Sequence, residues 1–211
     1  MPSRPPRRPK NGAPKRRKPV VIETPKAERL LQLKVTLLGS KPSIWRRIVV
    51  PDNYSLAELH VILQVAMGWT FDHMHGFRWR DEQWGPPAED YGLFETTELN
   101  EYVGFLARFF TKKGDSLRYE YDFGDSWEHE IKLERAEPFD LARPVPVCLA
   151  GARAGPPEDC GGIWGYSDIL YKLKHPDTED TAELREWLGE AFDPAAFDLA
   201  AINRNLRPHQ S

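Results

Sequence analysis

Histidine and acidic side chains near the predicted turns of this chain are its first candidates for chemistry. His73 and His75 flank Met74 just ahead of a predicted strand. Because alternate residues of a strand share one face, the pair could present two imidazoles to one metal ion, with Asp72 as a third ligand. A His-x-His pair at such a junction is also common by chance, so the pattern leaves both interpretations open.

A third histidine, His129, lies between Trp127 and Ile131 on the apolar face of another predicted strand. An imidazole placed there needs a polar partner. It could be a base or a metal ligand, but we favour a buried histidine that is bonded to a backbone carbonyl or a carboxylate.

The two cysteines of the chain, Cys148 and Cys160, bracket a loop rich in glycine and proline. Zinc sites usually show cysteines paired two to four residues apart, and this pair is separated by twelve positions. A zinc site on His129, Cys148 and Cys160 is therefore disfavoured against two buried free thiols.

Carboxylates also cluster near two predicted turns, and they include Asp122 and Glu128. Paired carboxylates can hold a hard cation or exchange protons with a substrate, whereas the structural alternative is a solvated hairpin end. The chain has no Walker loop, no dinucleotide-binding glycine motif, no nucleophile elbow and no His-Glu-x-x-His. No catalytic residue is therefore assigned. The candidate cleft consists of His73, His75, Asp125, His129, Glu158 and Asp159.

The first 19 residues differ from the rest in charge, with eight basic residues and no acidic one. The remaining chain has 21 basic and 32 acidic residues, a net charge of about −11. This composition predicts a disordered basic tail over residues 1–27, ahead of a domain over 28–207. The tail should attract phosphates without base stacking, because it has no aromatic residue; a solubilising extension, or contact with its own acidic domain, is the alternative. Its cations are Arg4, Arg7, Arg8, Lys10, Lys15, Arg16, Arg17 and Lys18.

The elements that must position these residues follow from hydrophobic periodicity. Ser55 and Glu58 form a predicted capping box for a central amphipathic helix that ends at Gly68. Strands with alternating patterns are predicted over 31–37, 44–50, 75–79, 117–123 and 127–134. A loop to about Glu95, a short helix over Leu99–Phe110, a loop over Pro144–Gly162 and helices over 166–174, 181–191 and 194–205 complete the prediction. The fold class is therefore α+β, a single domain with a mainly antiparallel sheet, a central amphipathic helix and C-terminal helices.

The surroundings of the protein are also predicted. No apolar run approaches the ~20 residues that span a bilayer, and no apolar stretch of a secretory signal follows the basic start. Two cysteines do not make a disulfide framework. We therefore expect a cytoplasmic protein without membrane contact.

Several stretches, in order between Leu30 and Leu206, resemble the plasmid pRiA4b ORF-3-like family, also called transposon-passenger or TnpR-like proteins. The resemblance implies one compact α+β domain, of uncertain biochemical role and often found beside mobile elements. Its members often carry a cysteine where this chain has Gly155, which removes one candidate zinc ligand. The most specific stretches are Tyr121-Asp122-Phe123-Gly124-Asp125-Ser126-Trp127 and Pro156-Pro157-Glu158-Asp159-Cys160-Gly161-Gly162; others are Ile44-Trp45-Arg46-Arg47, His73-Met74-His75-Gly76-Phe77, Trp164-Gly165-Tyr166 and Asn203-Arg204-Asn205-Leu206.

These observations favour a non-enzymatic binding module associated with mobile DNA. In this hypothesis the domain contacts a protein partner, and the tail contacts nucleic acid without sequence preference. The alternative is a metal-dependent hydrolase or nuclease that uses a His/carboxylate cluster. No cofactor is predicted, and a divalent metal is the one candidate.

Overall fold

The computed structural model describes residues 23–87, 98–175, 179–189 and 192–207. Residues 1–22 of the predicted disordered tail, which include its eight basic side chains, lie outside these ranges. The described residues form a single α+β domain built on one sheet. Its strands are β1 Arg29–Leu37, β2 Trp45–Pro51, β3 His75–Trp79, β4 Glu82–Gly85, β5 Leu99–Asn100, β6 Ser116–Tyr121, β7 Trp127–Pro138 and β8 Val147–Ala152.

The sheet order is β5-β4-β3-β6-β7-β1-β2-β8. Neighbouring strands are antiparallel, except that β4 and β5 run parallel. The predicted mainly antiparallel sheet is thereby confirmed. The helices are α1 Leu56–Met67, α2 Leu106–Phe109, α3 Gly162–Lys174, α4 Glu179–Leu188 and α5 Leu199–Leu206, and Glu101–Val103 form a 3-10 turn.

The central helix α1 begins and ends as its local sequence predicts. Ser55 Oγ accepts from the Glu58 amide at 3.2 Å, and the Glu58 carboxylate accepts from the Ser55 amide at 2.7 Å. Gly68 ends the helix in the left-handed region, with φ of 87°. Gln64 and Leu63 of α1 are buried against the apolar face of the sheet.

The two faces of the sheet differ in the way that the strand alternation predicts. On β7, Trp127, His129, Ile131 and Leu133 are buried. The opposite face carries cross-strand ion pairs, which are Arg47–Glu134, Arg78–Glu128 and Arg118–Glu130. The apolar face packs against α1. The segments that connect the strands at one end of the sheet form the surface described below.

Three predictions for the connections are wrong. The predicted loop to Glu95 contains β4, and the predicted helix over Leu99–Phe110 is replaced by β5, the 3-10 turn and the four-residue α2. The predicted loop over Pro144–Gly162 contains β8. Asn203 stabilises this edge strand, because its Oδ1 accepts from the Cys148 amide at 2.8 Å and its Nδ2 donates to the Cys148 carbonyl at 2.9 Å. β4, β5 and β8 are two to six residues long, which is too short for a clear periodic signal, and this explains these errors.

The predicted C-terminal helices are found with shifted ends, as α3, α4 and α5. None of the helices within the described residues is long and apolar enough to cross a bilayer.

Candidate metal centre

Three connections meet at one end of the sheet and form the candidate site. They are the α1–β3 connection (68–74), the β6–β7 turn (122–126) and the loop before α3 (153–161). Trp69 Nε1 donates to the Pro156 carbonyl at 2.9 Å, and the Gly161 amide donates to Asp125 Oδ2 at 3.2 Å. The two most specific sequence motifs therefore fold against each other, and Asp125 helps to join them.

Glycine allows these segments to approach so closely. A Cβ on Gly162 would lie 2.3 Å from the Asp125 carbonyl oxygen, and one on Gly165 would lie 1.8 Å from the Cys160 carbonyl oxygen. A Cβ on Gly155 would lie 2.1 Å from the Met67 carbonyl oxygen. Backbone here packs directly on backbone, so Gly155 is fixed by contact with the end of α1.

His73, Asp122 and Asp159 come from these three connections and face one another. His73 Nε2 lies 3.3 Å from Asp159 Oδ1 and 3.8 Å from Asp122 Oδ2. The three ligand atoms all lie within 4.8 Å of one another. Two ligands bound about 2.1 Å from a tetrahedral metal ion are separated by about 3.4 Å, so the spacing suits a shared cation.

His73 Nε2 itself is shielded from solvent and makes no hydrogen bond within the described part of the chain. The distances to both carboxylates permit ion pairing. Asp122 Oδ2 is too distant for a hydrogen bond, and the contact with Asp159 Oδ1 at 3.3 Å does not form one. A buried nitrogen without a partner is costly unless something else satisfies it. A cation between the ring and the two carboxylates would do so.

The turn of the β6–β7 hairpin sets the direction of Asp122. Its Oδ1 accepts from the amides of Gly124 and Asp125, at 2.9 and 3.3 Å, and this leaves Oδ2 on the side of His73. Asp122 and Asp159 both adopt left-handed backbone, with φ of 56° and 55°. The Asp122 side chain is 10% exposed and that of Asp159 is 75% exposed, so the site opens to solvent beside Asp159.

Glu158 is next to Asp159 but is committed to holding its loop. Its Oε1 accepts from the Tyr121 hydroxyl at 2.5 Å, and its Oε2 accepts from the amide of Thr70 at 3.2 Å and lies 2.5 Å from the Thr70 hydroxyl. Burial, followed by the nearby Glu158 carboxylate, raises the pKa of Tyr121 well above its usual value. Tyr121 therefore remains a hydrogen-bond donor at neutral pH.

His75 belongs to a different, buried network. Its Nε2 lies 2.9 Å from Glu101 Oε2, and its ring stacks on His60 with a centroid distance of 3.5 Å. His60 Nδ1 lies 2.8 Å from the Tyr119 hydroxyl. Burial, and secondarily the neighbouring His75, lowers the pKa of His60 to about 3, so its ring is neutral. His73 precedes the first residue of β3, so the strand alternation does not place His73 and His75 on one metal.

His129 is completely buried in the sheet, and its ring lies edge-on to Trp69 with a centroid distance of 5.5 Å. Burial is the main reason that its pKa is lowered to about 4, and the carbonyl groups of Trp127 and Tyr119 oppose the shift. Among the described residues, the one group with metal-ligand spacing is His73, Asp122 and Asp159. The structure thus does not bring His129, Cys148 and Cys160 together as ligands.

The two cysteines occupy separate apolar environments. Cys148 is buried on β8 and lies 3.5 Å from the Ala150 carbonyl oxygen. Burial, followed by the nearby Asp125 carboxylate, raises the pKa of Cys160 to about 12. Both are free thiols, and both are protonated at neutral pH, since burial also raises the pKa of Cys148.

The sequence analysis had named His73 and Asp159 for the cleft, and Asp122 among the carboxylates, but it did not group these three. His60, Glu101 and Thr70 were not identified as candidates. Asn100 caps the 3-10 turn that contains Glu101, and a capping residue of this kind is a local sequence signal.

The fold and the site define a single-domain α+β protein with a candidate metal centre where the two most specific motifs meet. A model of the family described as "Plasmid pRiA4b ORF-3-like protein" matches residues 29–201. The chain belongs to this family, and the resemblance predicted from the sequence is confirmed.

This chain is similar to a relative of known sequence and to a solved structure. It is 40% identical over 176 residues to "Uncharacterized protein y4hQ" of Sinorhizobium fredii (strain NBRC 101917 / NGR234), a match over 83% of this chain and 89% of the relative. It also matches the crystal structure of "Protein of Unknown Function MM3350 from Methanosarcina mazei Go1", with 35% identity and a TM-score of 0.74. That match covers 82% of this chain and 97% of the other. Both names leave the biochemical role of the family open.

Proposed function

We propose that this domain is a non-enzymatic binding module that holds a divalent transition-metal ion at His73, Asp122 and Asp159. The observation that carries the proposal is the position of His73 Nε2, which is shielded, lacks a hydrogen bond in the described structure and faces two carboxylate oxygens. One imidazole nitrogen and two carboxylates form a donor set that suits zinc or manganese.

Electrostatics support a cation at this position. Two carboxylates that lie close together repel each other, and a divalent ion between them removes that repulsion. Three protein ligands leave at least one coordination position for a further group. Because Asp159 is largely exposed, that position is open to solvent. A partner that presents an anionic group, such as a carboxylate or a phosphate, would complete the coordination.

Binding is favoured over hydrolysis by the state of the nearby proton acceptors. A metal-dependent hydrolase needs a group that takes a proton from the attacking water. Both oxygens of Glu158 already accept hydrogen bonds, and Asp125 Oδ2 accepts from the Gly161 amide. These carboxylates hold the loops together, which makes them poor bases. Hydrolase or nuclease activity therefore stays the alternative.

Isothermal titration of chelator-treated full-length protein with Zn²⁺, Mn²⁺ and Mg²⁺ tests the proposal. We expect one equivalent of Zn²⁺ or Mn²⁺ to bind. His73→Gln and Asp122→Asn should each weaken binding by more than about 100-fold, because each removes a direct ligand and the loss of an outer-shell partner already costs about 10- to 100-fold. The matched controls are Asp168→Asn on the surface of α3 and His175→Gln at the residue that follows it. Both should bind as the wild type does. Absence of stoichiometric binding, or equal affinity in all four variants, would contradict the proposal.

A phosphodiesterase assay separates the two candidate functions of the same site. The metal-loaded protein is incubated with bis(p-nitrophenyl) phosphate and with single-stranded DNA. If the domain is a binding module, it should release no more product than the free metal ion releases alone. Turnover that is lost in both His73→Gln and Asp122→Asn, but kept in the two control variants, would replace the binding module with the hydrolase.

A second proposed activity concerns the basic tail, which we propose contacts nucleic acid through its phosphates. It is supported by the eight basic residues, without an acidic one, in residues 1–19. The family's description refers to a plasmid, and this supports our proposal of an association with mobile DNA. Fluorescence anisotropy with a labelled duplex at several salt concentrations tests this contact.

The wild-type affinity should fall with salt with a log–log slope no steeper than about −7, which corresponds to eight phosphate contacts. A protein that starts at residue 23, and a full-length variant with glutamine at the eight basic positions, should both lose this binding. If the affinity and the salt slope stay unchanged in both variants, the tail does not contact nucleic acid.

A further inference from the structure

A buried arginine without an acidic partner marks a second polar site, which involves none of the three candidate metal ligands. Arg46 is 2% exposed. Its Nε donates to the Ala66 carbonyl at 2.7 Å, and its Nη1 donates to the carbonyls of Trp45 and Ala152 at 2.9 and 3.0 Å. All three acceptors are neutral, and none of the ion pairs within the described residues includes Arg46.

The guanidinium nevertheless stays charged. Burial is the largest influence on it and lowers the pKa of Arg46 to about 10. The C-terminal carbonyls of α1 and the Phe197 ring, whose centroid lies 5.1 Å from the guanidinium carbon, stabilise the cation in part. A buried charge is normally paired, and these neutral groups leave the positive charge without a counter-ion.

Arg46 lines a pocket of about 460 Å³ between the end of α1, residues 153–157 and α5. Arg153 lines the same pocket, holds a left-handed backbone with φ of 69° and makes no ion pair in the described structure. Asp198 is at the rim, but its carboxylate already accepts from the Ala201 amide at 2.8 Å. Most of the remaining wall is apolar, and it includes Val65, Met67, Trp187, Leu188, Phe192, Phe197 and Ile202.

We infer that this pocket binds a small amphipathic organic acid, with its carboxylate against Arg46 and Arg153 and its hydrocarbon body against the apolar wall. Arg46 Nη2, which makes no hydrogen bond within the described residues, and the Arg153 guanidinium are donors that suit a carboxylate. The pocket volume lies within the range of about 300–1,000 Å³ that small-molecule sites occupy. A small inorganic anion would leave the apolar wall in contact with water. The wall therefore favours an aliphatic carboxylate over phosphate.

Titration of the full-length protein with sodium octanoate, 1-octanol and inorganic phosphate tests the inference. A chelator is present throughout, so the result does not depend on the proposed metal centre. We expect one equivalent of octanoate to bind and to raise the melting temperature. Octanol should bind at least about tenfold more weakly, because it has the same chain without the charge. Equal binding of octanol, or binding of phosphate as tight as that of octanoate, overturns the inference.

Two variants locate the carboxylate. Arg153→Gln should weaken octanoate binding by about tenfold, since it removes one of two cations. Its matched control is Arg185→Gln on α4, which lines a neighbouring groove but not this pocket. Arg46→Lys keeps a charge but loses the fork, so it should also weaken binding. If Arg46→Lys does not fold, the comparison of Arg153→Gln with Arg185→Gln decides, and equal affinity in these two overturns the assignment.

Discussion

The hydroxyl of Tyr121 provides a specific test of how the metal centre is held together. Tyr121→Phe removes one oxygen and keeps the ring, which is fully buried and stacks on Trp69 with a centroid distance of 4.8 Å. The lost contact is the 2.5 Å hydrogen bond to Glu158 Oε1, which joins β6 to the loop that carries Asp159. The change should therefore affect both the stability of the domain and its metal affinity.

The magnitude follows from the charge and the remaining partners of Glu158. A hydrogen bond to a charged acceptor contributes about 1.5–3 kcal/mol to the free energy of unfolding. Glu158 Oε2 keeps the Thr70 amide, and water can reach the half-buried carboxylate, so we take the lower end. We expect Tyr121→Phe to lower the free energy of unfolding by about 1–2 kcal/mol. Zn²⁺ affinity should fall by about tenfold, the lower end of the range for outer-shell partners and less than after loss of a ligand, because Asp159 is present but less well positioned.

Urea unfolding and isothermal titration measure the two effects. The matched control is Tyr171→Phe on α3, where the ring is 63% exposed, and it should leave both quantities unchanged. A Tyr121→Phe variant that is as stable as the wild type would refute the proposed role of the hydrogen bond. A destabilised variant with unchanged Zn²⁺ affinity would show that Asp159 does not depend on Glu158 for its position.

Two further predictions concern the sheet and the glycine contacts. Arg47 and Gln32 both bond Glu134, and Arg47 is the larger cause of its pKa being lowered to about 2. This shift corresponds to roughly 3 kcal/mol, which we discount to about 1 kcal/mol because the pair is partly exposed to solvent. The pKa of Glu134 is lower in the folded state than in the unfolded one. In urea unfolding, Glu134→Gln should therefore show the full loss of unfolding free energy above about pH 4.5, and this loss should vanish as the pH falls towards 2. A loss of unfolding free energy that is constant with pH would contradict this. Gly155→Ala should lower the free energy of unfolding by about 1–3 kcal/mol, since its Cβ would lie 2.1 Å from the Met67 carbonyl oxygen. The control Gly76→Ala, whose nearest contacts are at 3.6 Å, should cost less than the Gly155 change, and equal losses in the two variants would disprove the steric argument.

Much of the fold could be predicted, because local sequence signals determine it. The capping box of α1 needs only Ser55 and Glu58, and the β6–β7 hairpin needs only alternation on both sides of a glycine turn. The strands β4, β5 and β8 lie at or near the sheet edges and are two to six residues long. The existence of β8 depends on partners far along the chain, β2 and Asn203, and no local pattern records these contacts.

The candidate site was predictable in its residue types but not in its grouping. His73 and Asp122 are 49 positions apart, and Asp122 and Asp159 are 37 positions apart. Each residue lies in a connection rather than in a strand or helix, so periodicity does not determine its direction. The prediction that paired His73 with His75 assumed that the strand already includes residue 73, whereas β3 begins at His75.

Packing explains most residues of the two specific motifs, but it does not explain His73 and Asp159. Gly162 allows the close approach to Asp125, and the bond from Tyr121 fixes Glu158. Neither role requires an imidazole at position 73 or a second carboxylate at position 159. A structural element of this kind would gain stability if the buried nitrogen had a hydrogen-bond partner and if the two acidic groups were farther apart. A cation held by His73, Asp122 and Asp159 would bind the shielded nitrogen and offset the repulsion between the two carboxylates. If the proposed metal centre exists, the free energy of unfolding should rise on addition of Zn²⁺ in the wild type and not in His73→Gln.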